Sequence, residues 1–385
     1  MEASNRFSKF IPDRLIEARE ARGFTLTDLA NIVEISHQAI SKYEKEKATP
    51  NHDTLEKLSD ALHVPVTYFY KSYPKKVDGV IYFRSMAMAT RKSKNIHLHK
   101  ISWIKEIHKY LEQYFNFPKL NVPQFITRQE YYPTPFEEID QIAMEVRKLW
   151  NLGNGPISNV VLLLEKAGII VSRAPSSSYK IDACSIWEPD ERPYVLLSND
   201  KTSSRSRFDI AHELGHLILH SKLKKSEFNK KENYKLIEKE AHRFASAFLL
   251  PAPSFGSEIV STSIEHFISL KKRWKVSIQA MAYRANSLGI LSEHQHIYIR
   301  KKLAKNNQLI KEPLDGGNEL PFEEPSALKQ AIEALVNHKI KTKQAIVNEI
   351  CLPYEEIEVF ANLEPGYLLQ NENDTAKIIQ INFKR

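Results

Sequence analysis

The chain has 385 residues, 42% hydrophobic and 26% charged, with a formal charge of +8 and a pI near 9.1. That length predicts two to three domains with sizeable cores, and the basic balance favours acidic partners such as nucleic acid. Two cysteines, Cys184 and Cys351, argue against a disulfide framework, and no run of about 18 apolar residues is present to cross a membrane. From the N-terminus, Arg14–Arg19 opens a helix, Gly23–Ala30 reads as a turn and a second helix, and Ser36–Glu44 reads as a third. Ser36 is a good N-cap for that third helix. Two short helices joined by a tight turn form a helix-turn-helix unit, whose second member enters the major groove. Leu55, Leu58 and Leu62 then give a packing helix before Val64-Pro65.

Residues 1–75 carry 11 Lys+Arg against 11 Asp+Glu, so this module is neutral. Affinity for DNA rests largely on phosphate neutralisation, so help from a dimer or from elsewhere is expected. Residues 76–110 offer it, with 8 Lys+Arg against 2 Asp+Glu, including Arg91-Lys92-Ser93-Lys94. Within this basic linker Val80–Arg84 reads as a short strand and a helix follows over about 97–117. Asn116–Pro135 is rich in proline and aromatics and is expected to wrap a boundary.

The middle of the chain reads as α+β. Helices are expected near 136–150 and 156–167, and strands near 169–173 and 193–198. Residues 212–216 then read His-Glu-Leu-Gly-His. On a helix, positions i and i+4 share a face, so His212 and His216 can offer two imidazoles to one metal. Glu213 sits one residue along, placed to act as a base on water. Hydrolytic zinc sites need a third protein ligand. The segment Glu238–Leu250 has helical spacing and stops at Pro251, and Glu238, Ala241, His242 and Ala245 share one face. Glu238 is assigned as the third ligand, with Glu240 in reserve. His242, one turn later, is expected to hydrogen-bond a ligand. His220 lies too far along the helix to share the metal and reads as structural. Residues 222–235 read as a basic loop between the two metal helices. Beyond 293, helices near 326–337, 342–350 and 353–362 carry periodic Leu, Ile and Val but no catalytic motif.

Two resemblances follow from these segments. Arg205-x-Arg207-Phe208-Asp209-Ile210-Ala211-His212-Glu213-Leu214-Gly215-His216 and Glu238-x-x-Ala241-His242-x-Phe244-Ala245, running to Pro251, resemble the ImmA/IrrE metallopeptidase family. So do Gly155-Pro156-Ile157, Gly168–Val171, Ile181–Ser185 and Tyr194–Asn199, which places the likeness over roughly 135–292. His242 departs from the family, which usually has Asn or Asp there. Residues 8–70 resemble the XRE/Cro-like repressors, which implies that Ser36, His37, Gln38, Ser41 and Lys42 face DNA. Gln38 suits adenine edges and Lys42 guanine or phosphate. Leu26 stands where a phosphate-contacting Gln is common.

The expected fold is therefore multi-domain and mostly α with an α+β centre. A helix-turn-helix bundle covers 1–75, a helical basic linker 76–134, a zincin-like metallopeptidase domain 135–292 and a C-terminal helical sensor or interaction domain 293–385. The expected activity is that of a gluzincin-like zinc metallo-endopeptidase with one Zn²⁺, or another divalent metal, per chain. His212, His216 and Glu238 are its expected ligands and Glu213 its base. Its expected partners are DNA and a protein substrate, a helix-turn-helix repressor, whose cleavage would switch stress, mobile-element or defence genes. A homodimer is expected, as is a cytoplasmic location, since no apolar signal core opens the chain. The alternative is a helix-turn-helix regulator or antitoxin whose metal domain is a non-catalytic sensor. The strand near 194–198 is expected to pair with an extended substrate.

Overall fold

A computed structural model describes residues 9–73, 80–83, 90–175, 182–189, 191–316 and 319–369. Arg84 and Ile181, which the sequence reading includes in its segments, lie outside the described residues. Along the chain come α1 (Pro12–Ala21), α2 (Leu26–Ile32), α3 (His37–Glu44), α4 (His52–Leu62), β1 (Val80–Phe83) and α5 (Arg91–Leu111). Next are α6 (Phe136–Leu149), α7 (Val160–Lys166), β2 (Ile170–Ala174), β3 (Ala183–Trp187), β4 (Tyr194–Ser198) and α8 (Ser203–Leu219). Then follow α9 (Lys225–Asn229), α10 (Lys231–Leu249), α11 (Ala252–Ser257), α12 (Ile264–Trp274), α13 (Ile278–Ser287) and α14 (Glu293–Lys305). The last are α15 (Ala327–Asn337), α16 (Lys343–Ile350) and α17 (Tyr354–Phe360). The protein is thus mostly α with a small sheet at its centre. These elements form two compact units.

One unit takes its described residues from 1–76, 95–116 and 326–385. Thr25 and Asp28 form a reciprocal capping box that starts α2, and Ser36 Oγ accepts the Ala39 N–H to start α3. Between them Glu34 takes a left-handed φ of +57°, which turns the chain in two residues. The C-terminal helices belong to this same unit. Phe360 of α17 packs against Trp103 of α5 with ring centroids 6.4 Å apart, Arg22 pairs with Glu356, and Tyr110 donates to Glu349 at 3.0 Å. The division expected at residue 293 therefore falls elsewhere. Ile299 and Leu303 of α14 are buried in the core of the other unit, while α15–α17 bury Leu328, Ile332, Leu335, Ile346, Ile357 and Phe360 in this one. The turn between α2 and α3 also recurs. Glu34-Ile35-Ser36, Lys275-Val276-Ser277 and Cys351-Leu352-Pro353 each set a left-handed residue and an apolar one before the N-cap of the next helix.

The other unit takes its described residues from 77–94 and 117–325. Its sheet has the order β1-β3-β4-β2, with β2 and β4 parallel and both other pairings antiparallel. β4 is therefore an interior strand, and the expected pairing of a substrate with residues 194–198 is not available, because β3 and β2 already take its hydrogen bonds. Much of the expected basic loop at 222–235 is helical: α9 lies within it and α10 begins at Lys231. α8 is the central element, with all but two of its residues, Ser203 and Arg205, buried. A helix buried on every side needs covering on every side. β3 and β4 lie against it, as do α7 and α10.

The segment after α14 fastens the start of α8. Arg207 pairs with Glu323, Ser204 donates to Asp315 at 2.7 Å, and Lys271 bridges Glu312 at 3.0 Å and Asp315 at 2.8 Å with all three side chains fully buried. Glu312 also accepts the Ile278 and Gln279 N–H groups at the start of α13. Removing the cation leaves two carboxylates facing each other without water. Lys271→Met is expected to lower the unfolding free energy of this unit by about 3–5 kcal/mol. Urea unfolding of the variant beside the parent chain measures it; a change under about 1 kcal/mol would show that the two acids find other partners.

Candidate metal centre

The helical repeat of α8 stacks His212 and His216 one turn apart, with ring centroids 4.7 Å apart. α10 crosses beside them and brings Glu238 to both. The two Nε2 atoms lie 3.1 Å apart, and Glu238 reaches His212 Nε2 and His216 Nε2 at 3.3 Å each, through its two carboxylate oxygens. These are the edges of a small triangle of donors. A tetrahedral ion with bonds of about 2.0–2.1 Å needs donor–donor edges of about 3.3–3.4 Å. Imidazole and carboxylate are also the donor types that zinc accepts. The residues fit such an ion. Among the described residues His212, His216 and Glu238 are the cluster that could hold a metal, and that set has three members.

The two histidines and Glu238 shift one another's charge. Burial would raise the Glu238 carboxyl, but hydrogen bonds from His212 and His216 outweigh it and hold the group well below the usual carboxylate range. Burial disfavours the charged form of His216, yet Glu238 and, more weakly, Glu213 and Glu240 raise it above the ordinary histidine value. Glu213, wholly buried, accepts a hydrogen bond from Ser185 Oγ of β3.

Behind the triangle lies a second set of contacts. His216 Nδ1 meets His220 Nδ1 at 3.1 Å, and His220 Nε2 meets Glu240 Oε2 at 3.0 Å. Burial pushes His220 down to about 4, so it is neutral near pH 7. Glu240, the reserve ligand, is buried and accepts Tyr131 Oη–H at 2.7 Å and the Thr134 N–H at 2.9 Å. The ring that meets His216 Nδ1 is thus His220. His242, expected in that part, packs at a tilt against Phe208 with ring centroids 4.8 Å apart and edge-on to Tyr283 at 5.2 Å.

The triangle opens into a cleft of about 720 Å³. Phe136, Phe208 and Tyr283 give it apolar surface, and the exposed cations Lys239 and Arg300 line it. In the other unit Ser36, His37, Gln38 and Lys42 are exposed and Ser41 is half-buried on α3, while Ile40 turns into the core.

Sequence reasoning missed Ser185, Tyr131 and the pairing of His220 with Glu240. The i, i+4, i+8 ladder His212–His216–His220 was a visible signal for the last.

Comparison with known proteins sets this geometry in a class. Residues 15–69 match the helix-turn-helix family and residues 164–286 match the IrrE N-terminal-like domain, a metallopeptidase-like family. One chain thus carries a segment similar to a helix-turn-helix and, further along, a segment similar to an IrrE-like domain. It is similar to a solved Mycobacterium tuberculosis transcriptional regulator at 18% identity and a TM-score of 0.29, over 40% of this chain. That match spans 52% of the regulator's own length. No curated protein matches. Among the described residues no helix is long and apolar enough to cross a membrane.

Proposed function

We propose that the chain is a cytoplasmic zinc endopeptidase fused to a DNA reader, and that it cleaves a helix-turn-helix repressor or a related partner protein. The observation that carries this reading is the donor triangle, with its 3.1–3.3 Å edges, beside a fully buried Glu213. His212, His216 and Glu238 would hold the zinc. When bound it supplies a Lewis acid that makes water acidic near neutral pH and polarises a carbonyl. Glu213 takes the proton from the attacking water and hands it to the leaving amine. Ser185 fixes the carboxylate of Glu213 for both transfers. Phe208 and Tyr283 give the peptide an apolar wall, and Lys239 and Arg300 favour acidic side chains near the scissile bond. A site held by these three ligands alone would leave room for water, as an enzyme needs and a closed sensor site does not.

The test compares protein N-termini in the host, wild type against Glu213→Gln at equal expression and under several stresses. A new N-terminus in a helix-turn-helix protein, absent from the variant, identifies the substrate. Matching N-termini with unchanged transcription instead favour a regulator whose metal domain does no hydrolysis.

For DNA we propose that α3 reads the major groove, with the protein acting as a homodimer on two half-sites. Gln38 is exposed one turn before Lys42 and can make two hydrogen bonds to an adenine edge. Gln38→Ala should cost about 1–3 kcal/mol at that base and relax the preference there. Lys42→Ala should instead weaken all sequences alike and reduce the salt slope by about one. Binding to a randomised duplex pool at two salt concentrations separates the two. Unchanged selection by both variants would move the reading surface away from α3.

A further inference from the structure

His220 and Glu240 are among the most deeply buried polar groups near the centre, yet the proposed chemistry uses neither. Two imidazoles and a carboxylate in a seam between helices are costly to bury, and leucine would pack there more cheaply. Their hydrogen bonds have only one consistent direction. A carboxylate accepts, so His220 carries its proton on Nε2, 3.0 Å from Glu240 Oε2. The other nitrogen of a neutral ring is then an acceptor. His220 Nδ1 must therefore receive the proton of His216 Nδ1, 3.1 Å away. When a metal takes the place of the proton that His216 Nε2 gives to Glu238, the lone pair is left on Nε2, and that atom lies 3.1 Å from His212 Nε2 and 3.3 Å from Glu238 Oε1.

We propose that Glu240 and His220 are positioning residues that fix the tautomer and ring angle of His216, so that its Nε2 lone pair faces the metal position. Tyr131 and the Thr134 N–H hold Glu240 in turn through its Oε1. The proposal rests on His212, His216 and Glu238 being metal ligands.

Its sharpest consequence is that Glu240→Gln is not conservative. The Thr134 N–H, at 2.9 Å, can only donate, so it keeps the amide oxygen of the new side chain at the Oε1 position. The NH₂ group then faces His220 Nε2, which must accept. The proton of His220 moves to Nδ1, His216 Nδ1 must accept, and His216 Nε2 gains a hydrogen where the metal needs a lone pair. Tyr131→Phe removes one donor without reversing anything.

The experiment titrates zinc into the full chain against a chromogenic chelator, and records the visible spectrum of the cobalt(II) form. Apo-protein melting curves accompany each variant. Glu240→Gln is expected to bind zinc about 10–100-fold more weakly, with an altered cobalt spectrum, while Tyr131→Phe stays near wild type. In a His220→Leu background, Glu240→Gln should cost nothing further, because the relay is already cut. Wild-type zinc uptake with Glu240→Gln within about twofold overturns the relay alone. So does an equal additional loss in the His220→Leu background. A wild-type chain that folds but takes up no zinc overturns the metal reading, and the relay with it.

Discussion

Glu213→Gln is expected to lower peptide cleavage by about 10²–10⁴-fold while leaving zinc content at one per chain. The side chain is 0% exposed and accepts from Ser185 Oγ, a donor that an amide oxygen can still satisfy. Glutamine has the same shape, so no cavity opens and no charge is stranded. What it lacks is a basic oxygen. A proton cannot be taken from water or returned to the leaving amine, and both transfers belong to the barrier that enzyme action must lower. The donor triangle of His212, His216 and Glu238 that could hold a metal does not include residue 213, so metal affinity should be unmoved. Single-turnover cleavage of the host substrate, with zinc measured on the same sample, checks both halves. Cleavage within a few-fold of wild type would remove Glu213 from the proton transfers. Loss of zinc alongside activity would make it a structural support instead.

The pair of histidines on α8 was legible because its geometry is local. An i, i+4 pair of histidines needs only the pitch of one helix, and the same holds for the Thr25 and Ser36 caps that begin α2 and α3. Glu238 was harder. Its helical face was readable, but which neighbour that face meets depends on how α8 and α10 cross. The same limit explains His220. Its place two turns beyond His212 was plain, but the buried Glu240 that anchors it comes from another helix and the Tyr131 behind that from an irregular segment. Periodicity likewise showed α15–α17 to be amphipathic without naming their partner, and the chain returns them over some 200 residues to pack with α5 and the first helices. Strand order is the extreme case. Val195-Leu196-Leu197 is an apolar run, which marks a buried strand, yet nothing local says that two neighbours flank it.

Gly215 tests how finely that crossing is set. A Cβ there would stand 3.0 Å from the Ala241 carbonyl oxygen, 3.2 Å from Ala241 Cα and 3.2 Å from the Phe244 ring. Two of these are backbone atoms of α10, so the neighbour cannot give by turning a side chain. Ala241 lies three residues from Glu238 on the same helix, and any displacement of that backbone carries the carboxylate with it. The donor edges of 3.1–3.3 Å leave little slack, since ligation tolerates only about 0.2 Å per bond. Gly215→Val places two further methyl groups in the seam. It should cost about 1–3 kcal/mol of stability and lower zinc affinity by on the order of 100-fold. Gly215→Ala separates position from stability. Alanine favours the helix by about 1 kcal/mol, which offsets part of the crowding, so the melting temperature should hardly change. Zinc affinity should still fall, because the few tenths of an ångström that relieve the contact come from the distance between α8 and α10. An alanine variant with wild-type zinc affinity would mean that the helices have room to spare, and that the ligand spacing is set by the side chains of His212, His216 and Glu238 rather than by the backbone that carries them.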